Sequence, residues 1–567
     1  KEKIYDNSNI AESYAGVTTP LTFSFISGVY TEVYKQFCRV MGVEEDVIEK
    51  NNNIFQMVGL IKGRVYYNLL NWYNVLSLLP GYSVNADFME QMLGVKEKLK
   101  VLPTVVHSQK NKYWRVINLF YRLIINLLQL PEQIKRFYIL LDKALLPYNS
   151  INFAQENSND ILNHYFGLER KLLKKWFAPV VNDFFAMIFY GVLKKIIIKW
   201  GLDIDGTLQN DLLIGEGNII STEPVRKIRE MANKICQNEN LKKLFLNHNE
   251  SHILKELSGY EELNSLINDY IERFGHRCIG ELKLETITYK EKPEMLISLI
   301  KSYVNQGYID IAEEDMKKQG LKKKAELRVR NALKNKIIKG IIFNAVLKQT
   351  RLRISNRENL RFERTRLFGV VREIFLAIGK KFYYEGIINS PRDIFYLTKE
   401  EIFGYITGTA VSINLKKIIE TRKVEFQLYE SENPSDRFET FGLVYHGNTF
   451  ESKKTGDDIE SDLSGIGCCP GIVRASVKIV RNPADAGDLN GCIMVAERTD
   501  PGWVPLFPIS KGILVQRGSI LSHSAIVARE MGIPAIVGIN NLLTKLQDGD
   551  IVEMDGSKGT IRLCEKK

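Results

Sequence analysis

The chain is expected to be multidomain, with a large, mostly α-helical region followed by a small α/β domain. Three observations predict this. Its 567 residues exceed one ordinary domain, and 45% of them are hydrophobic, enough for two to four domains with a substantial core. Apolar residues recur at three- and four-residue spacing through much of residues 1–440. Beyond a polar stretch near residue 450, short alternating or apolar runs take over, bounded by Gly and Pro.

The periodic segments are Val116–Leu128, Ile134–Leu146, Phe184–Ile198, Ile337–Leu347 and Leu367–Phe382, with Pro131, Pro147 and Pro391 as punctuation. Phe184–Leu193, between Asp183 and Lys194, is too short to cross a bilayer and reads as a buried helix. Lys317–Lys348 is strongly basic, either a solvated helix face or a docking surface for an acidic partner. Arg351, Arg353, Arg357, Arg361, Arg364, Arg366 and Arg372 follow. On a helix, Arg357, Glu358 and Arg361 share roughly one face. Arginine's planar fork suits phosphate oxygens, although surface ion pairs are the plainer alternative.

Residues 448–464 are polar and turn-rich, and read as a flexible linker. The expected division is therefore 1–447, 448–464 and 465–567. In the last part, Ala475–Val480, Cys492–Ala496, Gly512–Val515 and Ala535–Val537 read as strands.

Between the last two strands lies the most informative segment, Arg517-Gly-Ser-Ile-Leu-Ser-His-Ser-Ala-Ile-Val-Ala-Arg-Glu-Met-Gly-Ile-Pro534. Gly518 permits a sharp turn. Ser522 or Ser524 can cap a helix running to Met531, which Gly532 and Pro534 then stop. His523 thus falls at a helix N-terminus, where free N–H groups favour a phosphate. The same positive end disfavours imidazolium, and a neutral imidazole can attack and carry a phosphoryl group. Either ring nitrogen remains open.

These residues carry a resemblance. Pro470-Gly471, Thr499-Asp-Pro-Gly-Trp-Val-Pro-Leu-Phe507, Ser522–Glu530, Gly532-Ile-Pro534 and Asp548-Gly549 resemble the mobile phosphohistidine domain of the phosphoenolpyruvate-utilising enzymes, nearest to the rifampicin phosphotransferase and glutamine kinase branch. Gly16-Val-Thr-Thr-Pro-Leu-Thr-Phe-Ser24, Phe274–Glu281, Arg357–Arg361 and Gly386–Thr398 resemble that branch's acceptor-binding domain. The resemblance implies a helical acceptor-binding domain (1–447) and a swivelling phosphohistidine domain (465–567). It implies His523, Arg357, Glu358 and Arg361 as catalytic residues, with arginine at 361 where lysine is usual. It places Gly518, Ser522, Ser524 and Arg529 in the histidine loop, and Thr18, Thr19, Thr22, Arg277 and Glu281 at the acceptor. Gly518-Ser519 stands where two glycines are common.

The resemblance further implies ATP and Mg2+ as cofactors, held on an ATP-grasp domain or subunit whose phosphate loop has no counterpart among this chain's motifs. The expected function is phosphotransferase of dikinase type, moving a phosphoryl group from ATP through His523 to a small-molecule acceptor such as glutamine or an antibiotic-like alcohol. A phosphocarrier or regulatory subunit acting on a protein, a phosphoenolpyruvate synthase-like protein and a catalytically dead binder are the alternatives.

Composition narrows the partners. Net charge is +11, which suits gathering phosphate-bearing ligands, but no nucleic-acid recognition module is evident. No cluster has zinc-ligand spacing. Seven scattered cysteines give no disulfide framework, and Cys468-Cys469 reads as two reduced structural thiols. No signal peptide or spanning segment is evident, and a cytoplasmic location is expected.

Overall fold

A computed structural model describes residues 2–79, 105, 112–203, 206–214, 220–307, 311–432, 434–441, 444, 463–481 and 489–566. The architecture is a large helical region followed by a small α/β domain, as expected. Phe184–Leu193 lies within a largely buried helix, Phe177–Lys199. Among the described residues, no helix is long and apolar enough to cross a membrane.

Two helix boundaries differ from the sequence reading. Pro131 does not separate helices; it lies inside Lys112–Leu145. A proline within a helix forfeits a hydrogen bond, at a cost of ~3 kcal/mol. Here buried Leu130, Ile134, Phe137 and Leu141 lock both sides of it into the core. Ile337–Leu347 and Leu367–Phe382 are ends of one 48-residue helix, Ile337–Tyr384. Its middle is buried on several faces, including Arg353, Arg357, Glu358 and Arg372, so no single apolar stripe marks its continuity.

The helical region also holds a four-stranded sheet that periodicity did not show. Strands β1 (Glu2–Asp6), β2 (Val58–Ile61), β3 (Arg64–Asn68) and β4 (Arg437–Phe441) lie in the order β2-β3-β1-β4. Lys62 and Gly63 both have positive φ and close the β2–β3 hairpin, the turn that matches strand twist. Pairing of β1 with β4 joins the two ends of this region.

The C-terminal sheet comprises β5 (Leu463–Ser464), β6 (Ile466–Cys469), β7 (Ile472–Ile479), β8 (Ile493–Ala496), β9 (Gly512–Val515), β10 (Ala535–Val537), β11 (Ile551–Asp555) and β12 (Thr560–Glu565). Their order is β5-β12-β11-β7-β8-β9-β10-β6, with β7, β8, β9 and β10 parallel. Leu463 and Ser464 pair with β12, so the expected linker gives up its last two residues to the sheet. Residues 448–462 lie outside the described residues.

Apolar side chains cross between the two regions. Ile228, Phe245, Ile300 and Tyr303 share one core with Trp503, Phe507, Val515 and Val527. The Tyr303 hydroxyl donates to the Pro505 carbonyl. Trp503 is therefore a packing residue. All seven cysteines are free, and Cys468 and Cys469 are buried.

Candidate active site

His523 opens the helix His523–Met531, between β9 and β10. Ser522 is the N-cap, and its hydroxyl accepts the Ala525 N–H. Gly532 ends the helix in the left-handed conformation. Gly518 sits at φ +148°, a conformation side chains resist, and makes the turn. The packing of the two regions then buries the ring.

The imidazole meets a carboxylate of the other region. Nδ1 of His523 lies 2.6 Å from Oε2 of Glu358, on the long helix Ile337–Tyr384. Nε2 has no hydrogen-bond partner among the described residues. Burial lowers the His523 pKa first; Glu358 opposes this, and Arg277 and Arg361 add to it. Burial tends to raise the Glu358 carboxyl, but His523, Arg361 and Arg357 outweigh that and hold it below the usual carboxylate range. The pair is a neutral imidazole beside a carboxylate. A carboxylate only accepts, so Nδ1 carries the proton and Nε2 keeps its lone pair. Burial, more than the helix terminus, keeps the ring neutral.

The arginines have separate tasks. Arg361 Nη1 is 3.7 Å from Glu358 Oε1, whereas Arg357 Nη1 is 2.9 Å from Asp183 Oδ2. Arg372 is fully buried and donates to the Glu281, Lys283 and Leu284 carbonyls, fastening that turn to the long helix. Glu281 accepts from Arg277 at 3.1 Å and from Thr365 at 2.8 Å. From the C-terminal side, Asp500 accepts the Gly280 N–H at 2.9 Å and the Gly502 N–H at 2.7 Å. Burial pushes the Asp500 carboxyl up to about 7.

Two cavities meet here. A small polar one, about 30 Å3, is lined by His523, Glu12, Arg277, Glu281, Arg361 and Arg364, among others. A larger one, about 230 Å3, has an aromatic and aliphatic wall including Phe25, Val29, Tyr34, Trp72, Trp176 and Met187. Asn9, Ser13, Arg361 and Arg364 line both.

The structure brings His523, Arg361, Glu358, Arg277 and Glu281 together, with Arg357 on the wall of the larger cavity. Other expected site residues are placed differently. Ser522 and Ser524 hydroxyls lie 3.2 Å apart beside the ring, and capping by Ser522 uses an acceptor lone pair and leaves a hydroxyl proton to donate. Arg529 is buried and donates to the Cys468 carbonyl and Asn210 Oδ1, tying the histidine helix to its surroundings. Thr19 and Thr22 hydroxyls donate to Glu285 at 2.9 and 2.6 Å, and Thr19 precedes Pro20 at the start of helix Pro20–Val40. The Thr18 N–H donates to Gly63. Thr19 and Thr22 fix the helix start, while the Thr18 hydroxyl is buried without a partner among the described residues; Phe25, Ile26 and Val29, one to two turns further on, line the larger cavity. His276 packs against Gly369, where a Cβ would overlap its ring. Burial, then Lys290 and Arg372, depress its pKa to about 3, which is a structural setting.

Sequence reasoning missed Glu12, Asp183 and the aromatic wall. Glu12 and Asp183 are single acids beside apolar residues, and that isolation was the available signal. The aromatic residues come from four distant segments, so no local pattern could assemble them.

Comparison with known proteins agrees with this layout. Residues 488–559 match the mobile domain of PEP-utilising enzymes. The C-terminal unit is a domain of that type. Residues 178–358 match the fourth domain of rifampicin phosphotransferase. Rifampicin phosphotransferases of Bacillus subtilis and Streptomyces sviceus are 27% and 26% identical over 314 and 315 residues, each covering 55% of this chain and 36% and 35% of the relative. An uncharacterised phosphotransferase of Bacillus subtilis, YvkC, is 26% identical over 420 residues, 70% of this chain and 48% of its own. The chain thus spans about a third to a half of the length of these curated relatives.

Proposed function

We propose that this chain transfers a phosphoryl group from Nε2 of His523 to a small acceptor held in the adjoining apolar cavity. The observation that carries this reading is the pairing of the ring: Glu358 engages Nδ1 at 2.6 Å while Nε2 is left without a partner among the described residues. Nucleophilic Nε2 attacks phosphorus at the loading station, and the P–N bond breaks at the unloading station. Glu358 is a positioning residue, holding the Nδ1 proton. Arg361, with Arg277 and Arg364 in the same cavity, stabilises the transferring charge. Arg357 shapes the cavity wall through Asp183.

In this scheme the docked arrangement, with His523 against Glu358 of the helical region, serves as the unloading station. Loading is assigned to an ATP-grasp domain or partner, which would supply the β-phosphoryl group of ATP and release AMP and phosphate. Among the described residues no group of three or more His, Cys, Asp or Glu is placed to hold a metal. Mg2+ is assigned with ATP to that same partner, and no step here runs through it. The predominantly apolar wall favours an acceptor with a sizeable apolar body, an alcohol over an amide as small and polar as glutamine, with Asp183, Arg357, Arg361 and Arg364 at its polar side. The work is that of a cytoplasmic enzyme.

The test is mass spectrometry of acid-labile phosphate after incubation with ATP, Mg2+ and an ATP-grasp domain of this enzyme type. Phosphate is expected on His523 and absent in His523→Ala. Label persisting in that variant overturns the assignment.

A further inference from the structure

A third buried glutamate of the site, beside Glu358 and Glu281, has no role in the proposed transfer. Glu12 ends the short 3-10 turn Ile10–Glu12 and is 8% exposed. It lines the small cavity with His523, and its flanking residues Asn9 and Ser13 line both cavities. Its Oε1 has no hydrogen-bond partner among the described residues. A buried carboxylate oxygen left unpaired costs free energy, so its retention here calls for a task.

Glu358 Oε1 and Glu281 Oε2 are unpartnered too among the described residues, and Glu12 itself is near the His523 backbone N–H, but the other carboxylates nearby are each held in a specific pairing. Glu358 holds the imidazole, Glu281 accepts from Arg277 and Thr365, Asp500 accepts two backbone N–H groups, and Asp183 pairs with Arg357. We propose that Glu12 is the general base that removes the proton from the acceptor hydroxyl during transfer from His523. This rests on the transferase reading and deepens it.

The acceptor oxygen forms a bond to phosphorus as the P–Nε2 bond breaks. The P–N electron pair returns to Nε2, leaving a neutral ring whose Nδ1 proton stays with Glu358. The hydroxyl proton passes to the Glu12 carboxylate and then to solvent. Glu358 is poorly suited to this step, being ionised well below the usual range and already bonded. Burial raises the Glu12 carboxyl to about 7, against Arg361, the His523 backbone N–H and Arg357, with Glu358 adding to the rise. Arg277, Glu281 and Arg364 face the same space. A base with a pKa near the working pH is the efficient one.

The experiment loads His523 with phosphoramidate, a small phosphodonor that needs no partner domain, and follows transfer to benzyl alcohol as benzyl phosphate. The wild-type rate should rise with pH through an apparent pKa near 7, because Glu12 must be ionised to act. Glu12→Gln should load His523 normally, slow transfer by about 100-fold or more, and lose the pH rise. Glu12→Asp should retain the rise at a reduced rate. 4-Nitrophenol, largely ionised without help at pH 8, should be phosphorylated equally by wild type and Glu12→Gln. Glu12→Gln transferring to benzyl alcohol at the wild-type rate and pH profile overturns the role of Glu12 alone. Loaded wild type that phosphorylates neither probe overturns the transferase reading beneath it.

Discussion

The two adjoining cavities are built on opposite principles. The larger is walled mainly by rings and aliphatic chains, with Asp183, Arg357, Arg361 and Arg364 confined to one side, and selects chiefly a shape. The smaller gathers three arginines, two glutamates and one histidine, and can accept only a charge distribution. They touch along Asn9, Ser13, Arg361 and Arg364. The contrast teaches that recognition and chemistry are separable here, and each can be damaged without the other.

Substitutions can break that separation in graded steps. His523→Ala should abolish acid-labile phosphate and all transfer, read by mass spectrometry. Glu358→Gln should still accept phosphate but pass it on about 100-fold or more slowly, read by single-turnover kinetics, because the ring loses its fixed tautomer. Normal turnover would show that the pairing is only structural. Gly502→Val should separate loading from transfer, since a Cβ there would overlap the Ile279 backbone. His523 should load, while transfer falls by at least about tenfold through loss of docking, about 1.4 kcal/mol or more. Val29→Phe should fill the larger cavity and raise the acceptor KM severalfold while loading stays unchanged, at a stability cost of about 1–3 kcal/mol measured by thermal unfolding.

The smallest effect concerns pH and stability. Burial raises the folded pKa of Glu12 to about 7, above the ordinary glutamate value of 4.5. The folded state therefore binds its proton more tightly than the unfolded chain does. Stability is lost as pH rises from about 4.5 to about 7, by at most about 3 kcal/mol, and stays lost above. Glu12→Gln should flatten that slope, so its melting temperature should gain on wild type between pH 5 and 8. An unchanged slope would place Glu12 in a more solvated setting.

The legibility of the two regions differs for physical reasons. The histidine segment was readable because cap, helix and stop lie within a dozen residues, and each signals by residue type. The strands beside it were short apolar runs between turns. The arginine–glutamate set on the long helix was readable as a face, but not which member would meet the histidine. That depends on how the C-terminal domain docks, through Asp500, Trp503 and Tyr303. The four-stranded sheet was hidden because β1 and β4 are over 430 residues apart and each spans five residues. Glu12 was hidden because burial, not sequence context, makes it unusual.

The single helix Ile337–Tyr384 carries Arg357, Glu358, Arg361 and Arg364 on a few adjacent turns, with Arg372 pinning it further along. Such a girder cannot shift one of these side chains without tilting the others. Adaptation to a new acceptor is therefore expected to proceed by exchanging residues of the Pro20–Val40 and Phe177–Lys199 segments, while the charged spine is inherited intact.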